Sequence, residues 1–254
     1  MQSDFTMIVK EFPKGTDKVV IHPWGDWHIG SSQTDIKRLR EKVNQVANDK
    51  DAYVIICGDM LDMGIVNSKT NIYEEKLMPQ EQKELLYNML LPIKDKILAV
   101  VPGNHEDRMV KRVGVNPLYD VCCRLKIEDV YRENIAFLKI TILNRGHNER
   151  FYKYIGVVTH GSSMNKHQKF TQSIDGADFF ISGHTHTPSF HTRSKLRIPP
   201  VSDTVYQVSY REIVVNSELE YGGYGAKKEY IPNAQENQTL ELDGHRHRMT
   251  YKSH

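Results

Sequence analysis

Short apolar runs alternate with amphipathic stretches along the first half of the chain. Val19–Trp24, Ala52–Cys57 and Ile97–Val101 are mostly apolar runs that stop at glycine or at Pro-Gly, a pattern typical of buried strands. Between them, Asp35–Ala47 and Gln80–Leu90 carry apolar residues three and four positions apart, which predicts helices. Strands that alternate with helices in this way predict an α/β unit.

The second half of the chain is richer in strands. The predicted strands are Ile135–Leu143, Arg150–Thr159, Asp178–Ser182 and Val205–Asn216, and the predicted helices are Asn116–Leu125 and Lys166–Ile174. No linker rich in Gly, Ser or Pro separates the halves. We therefore predict a single domain over residues 1–254, with an α/β fold in which two sheets pack as a sandwich flanked by helices. The polar, basic segment 243–254 is predicted to be a flexible tail.

Composition and charge exclude some classes of protein. The 254 residues include 34 basic and 32 acidic side chains, so the net charge of +2 argues against a strongly basic nucleic-acid-binding protein, although a local basic patch remains possible. The cysteines Cys57, Cys122 and Cys123 do not form an even framework, which favours free thiols in a reducing compartment. No apolar run approaches the ~20 residues that span a membrane, and the start does not resemble a signal peptide. We therefore expect a cytoplasmic protein with no membrane partner.

Side chains that bind metals follow the predicted strands. Most of these strands run into a glycine followed by Asp, Asn or His, and one runs directly into Thr-His-Gly. The segments are Gly25-Asp26-Trp27-His28, Gly58-Asp59-Met60-Leu61-Asp62, Gly103-Asn104-His105-Glu106, Thr159-His160-Gly161 and Gly183-His184-Thr185-His186. Because open α/β sheets bind ligands beyond the carboxyl ends of their strands, we expect these loops to converge on one site.

The donor types narrow the chemistry of that site. Carboxylate, amide carbonyl and imidazole donors suit Mn, Fe, Zn or Ni better than a structural zinc site built on cysteine. The donors also outnumber the needs of one ion. An Asp shared by two ions ~3.5–4 Å apart would use them all, and such a pair can clamp the attacking and leaving oxygens of a phosphoryl displacement.

The order D-x-H, G-D-x-x-D, G-N-H-E, H-G and G-H-x-H resembles that of the calcineurin-like metallophosphoesterase family, from about Val19 to about Pro188. Within this family the chain is most similar to metallophosphoesterases of phages and prophages, and more distantly to the SbcD-type nucleases. The segments 67–82 and Pro102–Arg108 carry that narrower similarity. The resemblance implies a two-sheet sandwich flanked by helices, in agreement with the pattern of predicted elements.

The resemblance also implies a role for each matched residue. The implied ligands of a first divalent ion are Asp26, His28 and His186, those of a second ion are Asn104, His160 and His184, and the implied bridge between the ions is Asp59. His105 is implied as the general acid and Asp62 as the carboxylate that orients it. A hydroxide shared by two cations is a nucleophile at neutral pH, and a nearby carboxylate would keep His105 protonated for the departing oxygen.

Departures from the family pattern bear on the substrate. Protein Ser/Thr phosphatases of the family carry arginines that grip the terminal oxygens of a phosphate monoester, and this chain has Met63 and Pro102 at those positions. Because a diester carries less charge and needs less cationic clamping, their loss favours a diester. Arg108 could replace them by binding a phosphate oxygen bidentately, or it could pair with Asp107 on a helix surface; both interpretations remain open.

The sequence therefore predicts a phosphodiesterase that uses two divalent metal ions, foremost Mn with Fe, Zn and Ni as alternatives, and acts on nucleic acid or nucleotides. Three alternatives remain: a phosphomonoesterase, a hydrolase of cyclic nucleotides or of a lipid-nucleotide pyrophosphate, and a non-catalytic scaffold of the same fold. The intact set of implied ligands argues against the scaffold. The sequence identifies no protein partner.

Overall fold

The computed structural model describes residues 3–65, 75–143, 151–201, 203–222, 226, 232 and 236–254. Part of the segment 67–82 therefore lies outside the described residues. The strands are β1 (Ile8–Phe12), β2 (Lys18–Trp24), β3 (Ala52–Cys57), β4 (Ile97–Val101), β5 (Ile135–Leu143), β6 (Phe151–Thr159), β7 (Phe179–Ser182), β8 (Ser189–Arg197), β9 (Tyr206–Val214), β10 (Gln238–Asp243) and β11 (Met249–Ser253). The helices are α1 (Ile36–Asn48), α2 (Pro79–Leu90), α3 (Asn104–Val113), α4 (Pro117–Leu125) and α5 (Met164–Ser173).

These strands form two sheets. The six-stranded sheet has the order β1-β5-β6-β7-β9-β8, and the five-stranded sheet has the order β11-β10-β2-β3-β4. In the smaller sheet β2, β3 and β4 are parallel, and in the larger sheet β6, β7 and β9 are parallel. Parallel strands present their carboxyl ends at one edge, so the loops that follow them meet there. The predicted α/β sandwich with flanking helices is confirmed.

The facing sides of the sheets bury the main core. Ile55 of β3, Val100 of β4 and Leu138 of β5 are fully buried in one contiguous apolar cluster. Each such side chain contributes about 1.5–3 kcal/mol when it leaves water. Helix α1 covers this core with an apolar stripe and begins at Asp35, whose carboxylate accepts hydrogen bonds from two backbone N–H groups. Within the described residues, no helix is long and apolar enough to cross a membrane.

Helix α3 was not predicted. Its sequence, NHEDRMVKRV, is dominated by charged residues, and the helix buries only Glu106. Met109, Val110 and Val113 are its three apolar residues, too few to identify an amphipathic helix from the sequence. The helix ends at Gly114, which has a left-handed backbone with φ 69°. As a result Asn104 and His105, which were expected in a loop, lie in the first turn of a helix.

The prediction of a flexible tail over 243–254 is wrong for most of that segment. Met249–Ser253 forms β11, which pairs antiparallel with β10, and β10 pairs with β2. The turn between β10 and β11 is held by the hydroxyl of Tyr154, which lies 2.7 Å from the carbonyl oxygen of Asp243 and accepts a hydrogen bond from the N–H of Arg248. The polar composition of β11 reflects its place at the edge of the sheet, where it has little apolar area to bury.

Tyr154→Phe should weaken this turn without changing the core around the ring. We expect the free energy of unfolding to fall by about 1 kcal/mol, because the turn loses its hydrogen bonds to the hydroxyl. Urea denaturation and amide exchange of Met249–Ser253 would measure the effect. Tyr206→Phe, at a more exposed tyrosine of β9, is the matched control. Equal midpoints for the two variants would show that the hydroxyl does not hold the turn.

Candidate metal centre

The loops that follow β2, β3, β4, β6 and β7 are hydrogen-bonded to one another at one edge of the sandwich. The N–H of Asp26 donates to the carbonyl of Gly58 at 3.0 Å, and the N–H of His28 donates to the carbonyl of Asp59 at 3.0 Å. The N–H of Gly183 donates to the carbonyl of His160 at 2.9 Å. The structure therefore brings together the residues that the sequence spreads over 160 positions, from Asp26 to His186.

Left-handed backbone is concentrated in these loops. The implied ligands with positive φ are Asp26 (51°), His28 (46°), Asp59 (51°), His184 (71°) and His186 (55°). Each non-glycine residue in this region costs on the order of 1–3 kcal/mol, and such strain is typical of functional sites. This backbone conformation directs the side chains inward from the strand ends. The sequence motifs alone do not reveal that direction.

Two glycines allow the loops after β3 and β4 to touch. Gly58 has φ +93°, and a Cβ there would lie 2.5 Å from the backbone nitrogen of Gly103. A Cβ on Gly103 would lie 2.1 Å from Oδ1 of Asp59. A side chain at Gly103 would therefore push Asp59 out of place, and one at Gly58 would push the two loops apart.

The first cluster of donors contains Asp26, His28 and His186. The two Nε2 atoms of His28 and His186 are 3.1 Å apart, and Oδ1 of Asp26 lies 4.0 Å from the first and 3.5 Å from the second. Asp26 and His28 are almost fully buried. Two imidazole nitrogens and a carboxylate oxygen that point at a common space form a donor set for one divalent cation.

The second cluster contains Asn104, His160 and His184. Oδ1 of Asn104 lies 2.7 Å from Nδ1 of His184 and 3.1 Å from Nε2 of His160. Nδ1 of His160 lies 2.8 Å from the carbonyl oxygen of Cys57, an arrangement that directs Nε2 toward the site. Although burial acts to lower it, the charge of Asp59 raises the pKa of His160 to about 10. Positive charge is therefore favoured at His160, beside Asp59, whereas burial and the charge of His160 lower the pKa of His184.

Asp59 lies between the two clusters. Its Oδ2 is 3.2 Å from Nε2 of His160, and its Oδ1 accepts a hydrogen bond of 2.8 Å from the backbone N–H of His105. Its carboxylate also lies within 4.8 Å of donor atoms of His28 on one side and of His184 on the other. A single carboxylate within reach of both sets of donors is placed to serve two ions.

His105 is held by Asp62. Nδ1 of His105 lies 2.9 Å from Oδ1 of Asp62 and 2.8 Å from its backbone carbonyl oxygen. Despite burial, which lowers it, the bond to Asp62 and the charge of Asp59 raise the pKa of His105. Donor atoms of His28, Asp59 and His105 also lie within 4.8 Å of one another. The geometry thus suits His105 as an acid and also permits it as a ligand.

Glu106 is a site residue whose role the sequence analysis missed. Its fully buried carboxylate accepts hydrogen bonds from the N–H groups of Asp59 (3.0 Å), Leu61 (2.9 Å) and Gly103 (2.8 Å). It therefore joins the loops after β3 and β4 directly beneath Asp59. Burial and the neighbouring charge of Asp59 raise the pKa of Glu106. Its place in the Gly-Asn-His-Glu motif could have marked Glu106 as a site residue. The motif does not show which groups the carboxylate contacts.

Glu106→Gln should loosen these loops while preserving the shape of the side chain. The amide offers one oxygen but turns an N–H₂ group toward backbone N–H donors. We expect the free energy of unfolding to fall by about 1–3 kcal/mol, the cost of leaving buried groups unsatisfied. Chemical denaturation measures it, with Glu11→Gln on exposed β1 surface as the control. An unchanged stability would mean that the three hydrogen bonds do not hold Asp59.

The two positions that lack arginine are occupied by buried side chains, Met63 and Pro102. Arg108, on α3, points toward the loop that contains Met63. Its Nη1 lies 3.4 Å from the carbonyl oxygen of Asp62 and 3.5 Å from that of Met63. Arg108 therefore lies on the side of the site where His105 meets Asp62.

Comparisons with known proteins identify the family of this chain. The sequence model described as calcineurin-like phosphoesterase matches residues 24–188, a range that includes every implied ligand. A metallophosphoesterase from Sphaerobacter thermophilus is similar in structure, with TM-score 0.45 and 12% identity over 93% of this chain and 88% of that chain. A conserved uncharacterized protein of Streptococcus pneumoniae TIGR4, described as a predicted phosphoesterase, has TM-score 0.39 and 14% identity over 93% and 98%. A search of curated proteins gave no significant match.

Proposed function

Because this chain belongs to the calcineurin-like phosphoesterase family, whose members are metal-dependent phosphoester hydrolases, we propose that it is a phosphodiesterase with a binuclear metal centre. We propose nucleic acid or nucleotides as the substrate class. The observation that carries the proposal is the position of Asp59 between two sets of donors, since a site for one ion would need only one of them.

The residues present fit two divalent cations, and manganese is our proposal for their identity. Asp26, His28 and His186 would hold one ion, and the second set, Asn104, His160 and His184, would hold the other. When bound, such ions lower the pKa of water and stabilise negative charge on phosphoryl oxygens. Asp59 would keep the two cations close together by sharing its charge between them.

His105 would move the proton that the departing oxygen needs. Since Nδ1 of His105 is taken by Asp62, the proton to be donated resides on Nε2. Asp62 keeps the ring oriented, and its own pKa lies below the ordinary value because, against the effect of burial, it is bonded to His105 and His28. The carboxylate therefore stays ionised and favours the imidazolium.

Met63 and Pro102 support a diester over a monoester. A monoester at neutral pH carries close to two negative charges, and a diester carries one. The outer oxygens of a monoester are commonly bound by guanidinium groups, and a buried methionine and a proline provide none. The diester loses less from their absence.

The test is a comparison of bis-p-nitrophenyl phosphate with p-nitrophenyl phosphate in the presence of manganese. We expect kcat/KM to favour the diester by about tenfold or more, since a hydrogen bond to a charged group is worth ~1.5–3 kcal/mol. Arg108→Ala should reduce the residual monoester activity more than the diester activity. Arg112→Ala, on the exposed last turn of α3, is the matched control. A strong preference of the unmutated protein for the monoester would make it a phosphomonoesterase.

Nuclease action and location extend the same proposal. Metal-dependent degradation of DNA or RNA would establish the protein as a nuclease, and its absence across all nucleic-acid forms would leave nucleotides and other small diesters.

We propose a cytoplasmic location, which the unpaired Cys57, Cys122 and Cys123 support. Fractionation of the host cell would test that location.

A further inference from the structure

A cleft of about 390 Å³ opens beside the second cluster of donors. Asn104, His160 and His184 line it at one end, so a group attached to a phosphate at the metal centre would extend into it. Its volume lies within the range of roughly 300–1,000 Å³ that is typical of sites for small organic ligands. The cleft is therefore large enough for a group of nucleoside size.

One wall of the cleft is helix α5, which is firmly anchored. Oγ1 of Thr171 lies 2.5 Å from Oε1 of Glu212, and Nε2 of His167 lies 3.2 Å from Oγ of Ser182. Phe170 of this helix lines the cleft and packs on its other side against a small apolar cluster. Phe170 thus presents a ring in a fixed position, which a flat ring of a ligand could contact.

A second part of the lining is acidic. Asp107 and Glu133 line it, and the backbone of Glu133 and Asn134 is held by the carboxylate of Asp4 through N–H donors at 2.9 and 3.2 Å. Lys166 on α5 is the one ammonium among the described residues that line the cleft, so away from the metal-binding end the two carboxylates outnumber it. A further phosphate in the cleft would therefore meet like charge.

The cleft and His105 border different clusters of donors. His105 contacts Asp62 and packs against His28 of the first cluster, with ring centroids 4.5 Å apart. The cleft instead borders His160 and His184 of the second cluster. The group that departs with a proton from His105 would leave beside the first cluster. The group that stays on the phosphorus would then lie beside the second cluster, in the cleft.

On the basis of the proposed function, we infer that this cleft binds the retained group of the diester, and that this group is one neutral, ring-bearing unit of nucleoside size. Phe170 contacts its flat face, and Asp107 and Glu133 disfavour a chain of further phosphates. The preferred substrate is then a nucleotide diester with one phosphate, and not a polynucleotide.

Three substrates with the same leaving group test the inference. They are methyl p-nitrophenyl phosphate, thymidine 5′-p-nitrophenyl phosphate, and the latter compound with an added 3′-phosphate. We expect kcat/KM to rise by about tenfold from the methyl to the thymidine ester, which is the scale of one base stacked on an aromatic ring. The added 3′-phosphate should give no gain or a loss.

Variants of Phe170 and of the two carboxylates separate the contribution of ring stacking from that of charge. Phe170→Ala should lower the thymidine-to-methyl ratio by about tenfold. If the alanine variant does not fold, Phe170→Leu removes the ring while keeping more of the packed volume. Glu133→Gln and Asp107→Asn should raise the relative rate with the 3′-phosphate. Glu41→Gln, at an exposed carboxylate of α1, should change neither ratio. Calorimetric titration of thymidine into the metal-free protein measures binding independently of turnover. Phe170→Ala should weaken the affinity for thymidine.

The outcomes distinguish this inference from the proposed function. Turnover of both esters at equal kcat/KM would overturn the cleft as a nucleoside site and leave the phosphodiesterase intact. No turnover of either ester would overturn the phosphodiesterase. A gain of tenfold or more from the 3′-phosphate in the unmutated protein would overturn the charge argument and favour a polynucleotide.

Discussion

Asp59→Asn should abolish most phosphoesterase activity while the fold is retained. The amide keeps an oxygen that can accept the N–H of His105, now at 2.8 Å from Oδ1, so the local structure should persist. The variant loses the one charge that both sets of donors share, which lowers the affinity for both cations. We expect kcat to fall by roughly 10³-fold or more, since removal of a single preorganised electrostatic contact already costs ~10²–10³-fold.

Activity on bis-p-nitrophenyl phosphate and metal analysis after manganese loading measure the effect together. The unmutated protein should hold two ions per chain and Asp59→Asn fewer. Asp95→Asn, at an exposed carboxylate, serves as the control and should match the unmutated protein. Full activity with a reproducible stoichiometry of one ion would rule out the binuclear mechanism, and full activity of Asp59→Asn would remove Asp59 from the site.

His105→Ala should behave differently, because it keeps both sets of donors. We expect bound metal to be unchanged and the rate to fall by about 10²–10⁴-fold on diesters with alkyl leaving groups, the usual contribution of a general acid. The loss should be smaller for p-nitrophenolate, which departs without a proton. Because Asp62 and Asp59 raise the pKa of His105 against the effect of burial, its acid form persists to higher pH. The alkaline decline of the rate should therefore disappear in the variant.

Paired measurements on alkyl and p-nitrophenyl diesters over a range of pH, with metal analysis, test this role. His191→Ala, at an exposed histidine of β8, is the control. Loss of metal from His105→Ala would make His105 a ligand together with His28 and Asp59, as the distances also permit. Equal losses on both kinds of ester would remove it as the proton donor.

Periodicity predicted the elements whose burial is regular. β3, β4 and β5 coincide with the predicted bounds, and α1 and α2 differ from them by one residue at each end or less. These elements pack a whole face against the core, so their apolar positions repeat along the chain. α3, β1, β8, β10 and β11 escaped prediction. Helix α3 buries one glutamate, and β1, β8 and β11 lie at sheet edges.

The sequence by itself determined the family, the alternation of strands and helices, and the side chains that the motifs place after each strand, because these depend on local order along the chain. Only the tertiary structure decided how those side chains meet. The left-handed backbone of Asp59, its support by Glu106, and the presence of Phe170 and Asp107 in one cleft each depend on contacts between segments far apart in sequence. Such contacts form only when separate strands end at one edge of a sandwich, and no local pattern records their distances.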